Sequence, residues 1–232
     1  RKAVMKEMDQ LDGRVCFEPI DVYKLTKSER MKAQDAIIFL TEKRDGTIKA
    51  RTVYNGKPTR AWHVKEETAS PTASTESVFL TAVVDATEGR DVMSGDIPNA
   101  FIQTHMPEPK PGQDRVILKM TGVIVDLMVE VNPARYAAYV VYENGVKALY
   151  LVVLRGLYGM QIAAMLWYKR FRQELEEEQG FEFNPYDPCV ANRIVKGKQQ
   201  TVLFHVDDLK SSHVDPKVND DFLAWLNSKY GH

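Results

Sequence analysis

Two adjacent carboxylates follow an apolar stretch near the end of the chain. Residues 201–206 are Thr-Val-Leu-Phe-His-Val, and Asp207 and Asp208 come directly after them. The apolar stretch predicts a buried strand, and residues 209–214 predict a strand that returns antiparallel to it. Two acids at the tip of a hairpin repel each other, so they either face water or share a cation. The chain is therefore expected to contain a β-hairpin with an acidic tip.

A third acid lies far upstream, in the segment Gly95-Asp-Ile-Pro-Asn-Ala-Phe101. We predict that this segment contains a strand and that Asp96 joins the acids of the hairpin. Three carboxylates from two elements are the usual protein contribution to a two-magnesium phosphoryl-transfer site. An Asp-Asp pair alone is more often a solvated turn, so the hypothesis depends on the apolar flanking strand and on the third acid. The candidate metal ligands are Asp96, Asp207 and Asp208.

Length and composition set limits on the protein class. The 232 residues carry a net charge of −1 and suffice for one large domain or a domain with a subdomain. Cys16 and Cys189 lack metal-ligand spacing and are too few for a disulfide framework, which indicates a reducing compartment. No apolar stretch has membrane-spanning length, and no Walker-type phosphate loop occurs. Because the chain starts without Met, we expect it to be a piece of a longer polypeptide.

The order of the predicted elements is typical of an α+β protein. Thr26-Lys-Ser-Glu29 fits a capping box at the start of a helix, and Asp45-Gly46 predicts the turn of a hairpin. In the strand 47–54, alternation places Lys49 and Arg51 on one face. Such a basic face is usually only solvated. Beside a magnesium site it can instead close over a nucleotide triphosphate.

Three helices and several strands are predicted in the rest of the chain. A helix follows Ser74, and we expect its apolar stripe to face the core. Residues 160–179 predict a long helix, and residues 115–155 predict several strands. The last helix has Asp215 as its N-cap and Gly231 after its end. The apolar stripe of the helix after Ser74 consists of Val78, Phe79, Ala82, Val83 and Ala86.

Six short motifs occur in order along nearly the whole chain. They are Lys43-Arg-Asp-Gly-Thr-Ile-Lys-Ala-Arg51, Ala69-Ser-Pro-Thr-Ala-Ser-Thr-Glu-Ser77, Gly95-Asp-Ile-Pro-Asn-Ala-Phe-Ile-Gln103, Leu157-Tyr-Gly159, Gly180-Phe-Glu-Phe-Asn-Pro-Tyr-Asp-Pro-Cys189 and Phe204-His-Val-Asp-Asp208. One such motif is weak evidence, whereas six in this order are specific. With them the chain resembles the reverse transcriptase domain of copia-type LTR retrotransposons.

The resemblance implies a fold and a reaction. The fold is a right-hand polymerase with fingers at residues 1–90 and a palm at residues 91–232, and with the thumb absent or truncated. The reaction is RNA-directed DNA synthesis, in which dNTPs are joined to a primer 3′-OH on an RNA or DNA template. Asp96, Asp207 and Asp208 are then the catalytic acids that hold two Mg²⁺ ions, with Mn²⁺ as the alternative metal.

The resemblance also assigns a nucleotide-binding site. Arg51 matches the fingers arginine that contacts the triphosphate, with Lys49 assisting it. Phe101 matches the aromatic residue that blocks a ribose 2′-OH. Its alternative role is core packing, because an aromatic side chain on a strand between apolar neighbours is usually buried. The other residues assigned to dNTP binding are Asn99, Ala100 and Gln161.

The implied partners and two further hypotheses complete the interpretation. The partners are the primer–template and the RNase H and integrase regions of the same polyprotein, in a cytoplasmic retroelement particle or in the nucleus. The chain departs from the family at His205, where an aromatic residue is frequent, and at Ile162, where a polar residue is frequent. Two alternatives remain open: an inactive retroelement remnant that at most binds nucleic acid, and a different magnesium-dependent phosphotransferase.

Overall fold

The computed structural model describes residues 1–231 and has the predicted α+β fold, with two sheets and packed helices. The chain divides into two compact units, and each unit consists of two separate chain segments. The first unit comprises residues 1–65 and 104–163, and the second comprises residues 66–103 and 164–232. Within residues 1–231, every helix is too short or too polar to cross a membrane.

The described residues form nine α-helices and eleven β-strands. The helices are α1 (Lys2–Gly13), α2 (Lys27–Lys32), α3 (Lys65–Thr68), α4 (Thr75–Glu88), α5 (Ala100–Gln103), α6 (Val123–Val131), α7 (Pro133–Tyr136), α8 (Ala163–Glu177) and α9 (Pro216–Tyr230). The strands are β1 (Phe17–Pro19), β2 (Gln34–Glu42), β3 (Ile48–Tyr54), β4 (Asp91–Asp96), β5 (Ile117–Thr121), β6 (Val141–Glu143), β7 (Val146–Val153), β8 (Glu182–Phe183), β9 (Val190–Val195), β10 (Lys198–His205) and β11 (Asp208–His213).

The first unit contains a mixed sheet with the strand order β1-β7-β5-β2-β3, and β6 pairs with β7. Only β2 and β5 pair in parallel. The predicted hairpin is confirmed, because β2 and β3 pair antiparallel and Gly46 has a φ of 78° in the turn. The predicted alternation in β3 is also confirmed, since Ala50 and Thr52 are buried while Lys49 and Arg51 are exposed.

Helix α6 occupies part of the region for which we predicted only strands. Its residues are rich in Val and Ile, which favour strands in isolation. Val125 and Met128 are nevertheless fully buried, and their spacing of three residues places them on one helical face. Burial of that face outweighs the local preference, because most helical stability in proteins comes from tertiary packing.

The second unit contains an antiparallel sheet with the strand order β4-β11-β10-β9-β8. An aromatic core lies between this sheet and helices α8 and α9. Trp167 stacks on Phe171 with ring centroids 5.3 Å apart, and Phe171 meets Phe204 edge-on at 5.0 Å. Trp167, Phe171 and Leu175 of the predicted long helix are buried in this core, and the predicted Asp215 cap of the last helix is confirmed.

Helix α4 is oriented opposite to the prediction. Its buried residues are Thr81 and Asp85. Lys210 of β11 holds both, because its Nζ lies 2.6 Å from Asp85 Oδ2 and 2.8 Å from Thr81 Oγ1. A polar anchor therefore sets the buried face, and the face inferred from periodicity was wrong. All five residues of the predicted stripe are exposed: Val78, Phe79, Ala82, Val83 and Ala86.

The two units do not follow the expected boundary at residue 90. Residues 104–163 belong to the first unit because β5 and β7 pair with each other, and β5 also pairs with β2. Residues 66–90 belong to the second unit because Lys210 ties α4 to β11. Pairings between residues so distant in sequence are not visible in the linear order of elements.

Candidate functional site

The predicted acidic hairpin is formed by β10 and β11, which the two-residue turn Val206-Asp207 connects. Of the two turn residues, only Val206 has a positive φ, of 60°. A positive φ at the first turn position is the pattern of a type II′ turn, which normally has Gly there. A β-branched residue in this conformation is strained, and such strain concentrates at functional sites.

Two hydrogen bonds hold the backbone of this turn. Trp167 donates its indole N–H to the Val206 carbonyl at 2.7 Å, and Ile97 donates its backbone N–H to the Asp207 carbonyl at 2.8 Å. Trp167 is fully buried in the aromatic core. The turn is therefore fixed to α8 and to the chain after β4. The sequence did not predict this bond, because its acceptor lies 39 residues from Trp167.

Asp96 lies directly opposite Asp208 where β4 pairs with β11. The next pair, Ile97 and Asp207, is the hydrogen-bonded one. Asp96 and Asp208 therefore form a non-hydrogen-bonded pair, whose side chains share a face with Cβ atoms about 4.5–5.5 Å apart. Two like charges in such a pair destabilise the sheet unless a cation compensates them.

His205 adds a third polar side chain, on a third strand, to the pair formed by Asp96 and Asp208, so that the three form a row across the sheet. It pairs with Asp208 across the turn, so His205, Asp208 and Asp96 lie on one face of the sheet. The sequence could have predicted that His205 pairs with Asp208, because the length of a two-residue turn determines which flanking residues pair.

Across residues 1–231, no three His, Cys, Asp or Glu side chains form a group able to hold a metal ion. The donors that fit a hard cation are the two opposed carboxylates, with Asp207 in the adjoining turn.

The residues assigned to the nucleotide sugar follow Asp96 in a turn and a short helix. Asn99 has a positive φ of 56°, and α5 begins at Ala100. Phe101 is thus in a helical turn and not on a strand as expected. It is half-buried and packs against the aromatic core. Ala100 is buried, so the structure does not expose it for contact with a ligand.

The predicted phosphate-binding residues lie on the exposed face of β3, in the first unit. Lys49 and Arg51 are two positions apart and share that face. The Arg51 guanidinium lies over the ring of Tyr158, with Cζ 5.1 Å from the ring centroid. This cation–π contact restricts the guanidinium before any ligand binds. Tyr158 is itself held to the strand end, because its carbonyl accepts a 2.8 Å hydrogen bond from Tyr54.

Gly159 and Gly56 allow two backbone segments of the first unit to approach closely. Gly159 has a φ of 86°, and a Cβ there would lie 2.2 Å from the Tyr54 carbonyl oxygen. A Cβ on Gly56 would lie 2.0 Å from the Gly159 carbonyl oxygen. Gln161 donates its side-chain amide to the Gly56 carbonyl at 3.2 Å and lines a cavity of about 220 Å³.

The predicted site residues are thus divided between the two units. The second unit brings Asp96 and Asp208 together, and the first brings Lys49 and Arg51 to one face. In the comparison with known proteins, neither a protein-family model nor a curated protein matches the chain. By unit, Asp96, Asn99, Ala100, Phe101, Asp207 and Asp208 lie in the second, and Lys49, Arg51 and Gln161 lie in the first.

Proposed function

We propose that the chain is the RNA-directed DNA polymerase domain of a copia-type retroelement. In this proposal the first unit corresponds to polymerase fingers and the second to the palm. The observation that carries it is the pairing of Asp96 opposite Asp208, beside a strained turn that contains Asp207. Two opposed carboxylates and a third in the adjoining turn are suited to oxygen-seeking divalent cations.

The acidic and basic side chains of the candidate site would have separate roles in nucleotidyl transfer. Two Mg²⁺ ions, or Mn²⁺, would lower the pKa of the primer 3′-OH and neutralise charge on the triphosphate. Asp96 and Asp208 supply oxygen ligands from one face of the sheet. Asp207 supplies another from the turn, whose backbone is held in place by hydrogen bonds. Arg51, restrained by Tyr158, supplies positive charge for the triphosphate.

The proposed partners follow from the same reaction. The substrate is a primer on an RNA or DNA template, which base pairing selects while the protein contacts backbone and shape. RNase H and integrase regions of one polyprotein would accompany the domain, in a cytoplasmic particle or in the nucleus. An integrase sequence upstream and an RNase H sequence downstream in one reading frame would support this assignment.

Primer extension tests the proposed function directly. A polypeptide that carries this chain and the polyprotein segment after it is expected to extend a DNA primer on an RNA template. The products should end where the template ends, and EDTA should prevent their formation because the acids need divalent cations. A polypeptide that binds primer–template tightly but extends no primer under any divalent metal would contradict the proposal.

The second candidate is a non-catalytic retroelement remnant. His205 favours it, because this residue lies beside the acids at a position where the resembling family frequently has an aromatic ring. A remnant would bind primer–template without extending it. The third hypothesis, another magnesium-dependent phosphotransferase, would transfer phosphate without dependence on a template.

Phe101→Ala tests sugar selection. With the aromatic ring removed, we expect the preference for dNTP over rNTP, measured as the ratio of kcat/KM, to fall by about 100-fold. The fold should lose only about 1–2 kcal/mol, because a half-buried ring loses less than the 3–5 kcal/mol typical of a fully buried one. Parallel thermal unfolding separates the two effects.

Ile102→Ala is the matched control for this prediction. Ile102 is the next residue and is buried, so its truncation should destabilise the fold without changing sugar preference. An unchanged kcat/KM ratio in Phe101→Ala, together with a stability loss as large as that of the control, would assign Phe101 to the core.

A further inference from the structure

Helix α4 exposes a continuous apolar surface in the second unit. Val78, Phe79, Leu80 and Val83 are 44%, 68%, 67% and 62% exposed. An apolar patch of this kind on one element marks an interaction surface. We propose that this surface, called here the α4 face, joins two copies of the chain in a twofold-symmetric dimer whose α4 helices pack antiparallel.

The shape of the α4 face is self-complementary. The large residues Phe79 and Leu80 lie in the N-terminal half of the helix, whereas the small residue Ala82 lies at its middle and Ala86 near its C-terminus. In an antiparallel pair centred between Ala82 and Val83, Phe79 lies against Ala86 of the partner subunit. Large side chains then fill the grooves beside small ones, which permits close helix packing. The twofold axis repeats each such contact.

The charges of α4 are compatible with this pairing. Its charged residues are Glu76, Asp85 and Glu88. Asp85 is buried against Lys210, and Glu88 Oε2 lies 2.9 Å from the Arg90 guanidinium. Glu76 lies on the exposed side, one turn before Phe79 and Leu80, but about 10 Å along the helix from the proposed twofold axis, where its carboxylate can stay in contact with water. The centre of the α4 face therefore carries no charge that a dimer would have to bury. Antiparallel packing also places the positive end of each helix dipole beside the negative end of the other.

The exposed area suffices for a weak dimer. With about 150–200 Å² for each fully exposed large side chain, the exposed fractions of the α4 face correspond to roughly 350–500 Å² per copy. Two copies would bury about 700–1,000 Å², which is at or below the lower bound for a stable biological interface and fits a weak, transient one. We therefore expect a dissociation constant in about the micromolar range, with a dimer that forms as concentration rises.

Sedimentation velocity tests the dimer. The chain is expected to change from monomer to dimer between about 1 and 100 µM, and Phe79→Glu should weaken the association by about 100-fold or more. Ile194→Glu is the matched control, because Ile194 is 69% exposed in the same unit but lies on β9. Circular dichroism should show unchanged folding in both variants. A monomeric unmodified chain at 100 µM, or equal weakening by both variants, would overturn the proposal.

Disulfide trapping tests the antiparallel arrangement. In Ala82→Cys, two new thiols lie beside the proposed twofold axis, within the roughly 7 Å between Cα atoms that a disulfide permits. Thr87→Cys places the thiol about 7.5 Å further along the helix and should trap far less dimer. Cys16 and Cys189 are buried and add no background. Equal trapping by the two variants, or none by Ala82→Cys, would overturn the arrangement.

Discussion

Asp207→Asn is expected to reduce primer extension by a factor of about 1,000 or more while primer–template binding persists. An amide keeps the shape of the carboxylate but lacks the charge that holds divalent cations. The turn should keep its conformation, because its two hydrogen bonds use backbone carbonyls and not the Asp207 side chain. Single-turnover extension and a separate binding titration distinguish loss of chemistry from loss of binding.

The effect of Asp207→Asn is to be compared with the effects of three further Asp→Asn variants. Asp96→Asn should be as damaging as Asp207→Asn, and Asp208→Asn should be milder, as the resemblance implies for the second acid of the pair. Asp220→Asn is the control, because it makes the same charge change at an exposed position of α9. Extension at the normal rate by Asp207→Asn would refute the assignment of the catalytic acids.

Arg115→Leu is expected to remove about 3–4 kcal/mol of stability, because it leaves a buried carboxylate without its cation. Glu29 is almost fully buried and accepts two side-chain hydrogen bonds from Arg115, at 2.6 Å from Nε and 2.8 Å from the terminal nitrogen. It also accepts a 3.1 Å bond from the Arg115 backbone N–H, which the substitution leaves in place. Urea denaturation measures the loss. Arg30→Leu is the control, since Arg30 pairs with Glu143 at a half-exposed position and its loss should change stability far less.

The same ion pair predicts a dependence of stability on pH. Hydrogen bonds from Arg115, followed by the Thr26 backbone N–H, lower the pKa of Glu29 to about 2. The unfolded chain binds this proton at about pH 4.3, so the contribution is complete above that pH and is lost as pH falls toward 2. The unmodified chain should lose more unfolding free energy over this range than Arg115→Leu. Equal losses in both proteins would show that Glu29 does not carry the effect.

Features that depend on neighbouring residues could be predicted from the sequence. The capping box at Thr26 and Glu29 is present, because it needs only a four-residue spacing. The hairpin with Asp207 at its tip is present for a similar reason, since period-two alternation and a short turn specify it. The Asp215 cap of α9 belongs to the same group.

Features that depend on distant partners could not be predicted. The orientation of α4 is determined by Lys210, which lies 125 residues from Asp85. Arg115, the partner of Glu29, lies 86 residues away, and no local sequence pattern predicts that the two residues pair. The row that joins His205 to Asp96 needs the pairing of β4 with β11, which no local pattern specifies. In each case a long-range contact decides which of several locally acceptable arrangements forms.

The interleaving of the two units has a consequence for biosynthesis. The first sheet places β7 and β5 between β1 and β2, so a nascent chain of 103 residues cannot complete it. At about 5–20 residues per second, the ribosome needs roughly 3–12 s to add the missing segment 104–163. During that time the β2–β3 hairpin has no central strands to join and remains open to chaperones and proteases. Premature termination anywhere before residue 163 therefore leaves both units incomplete and yields no intact half.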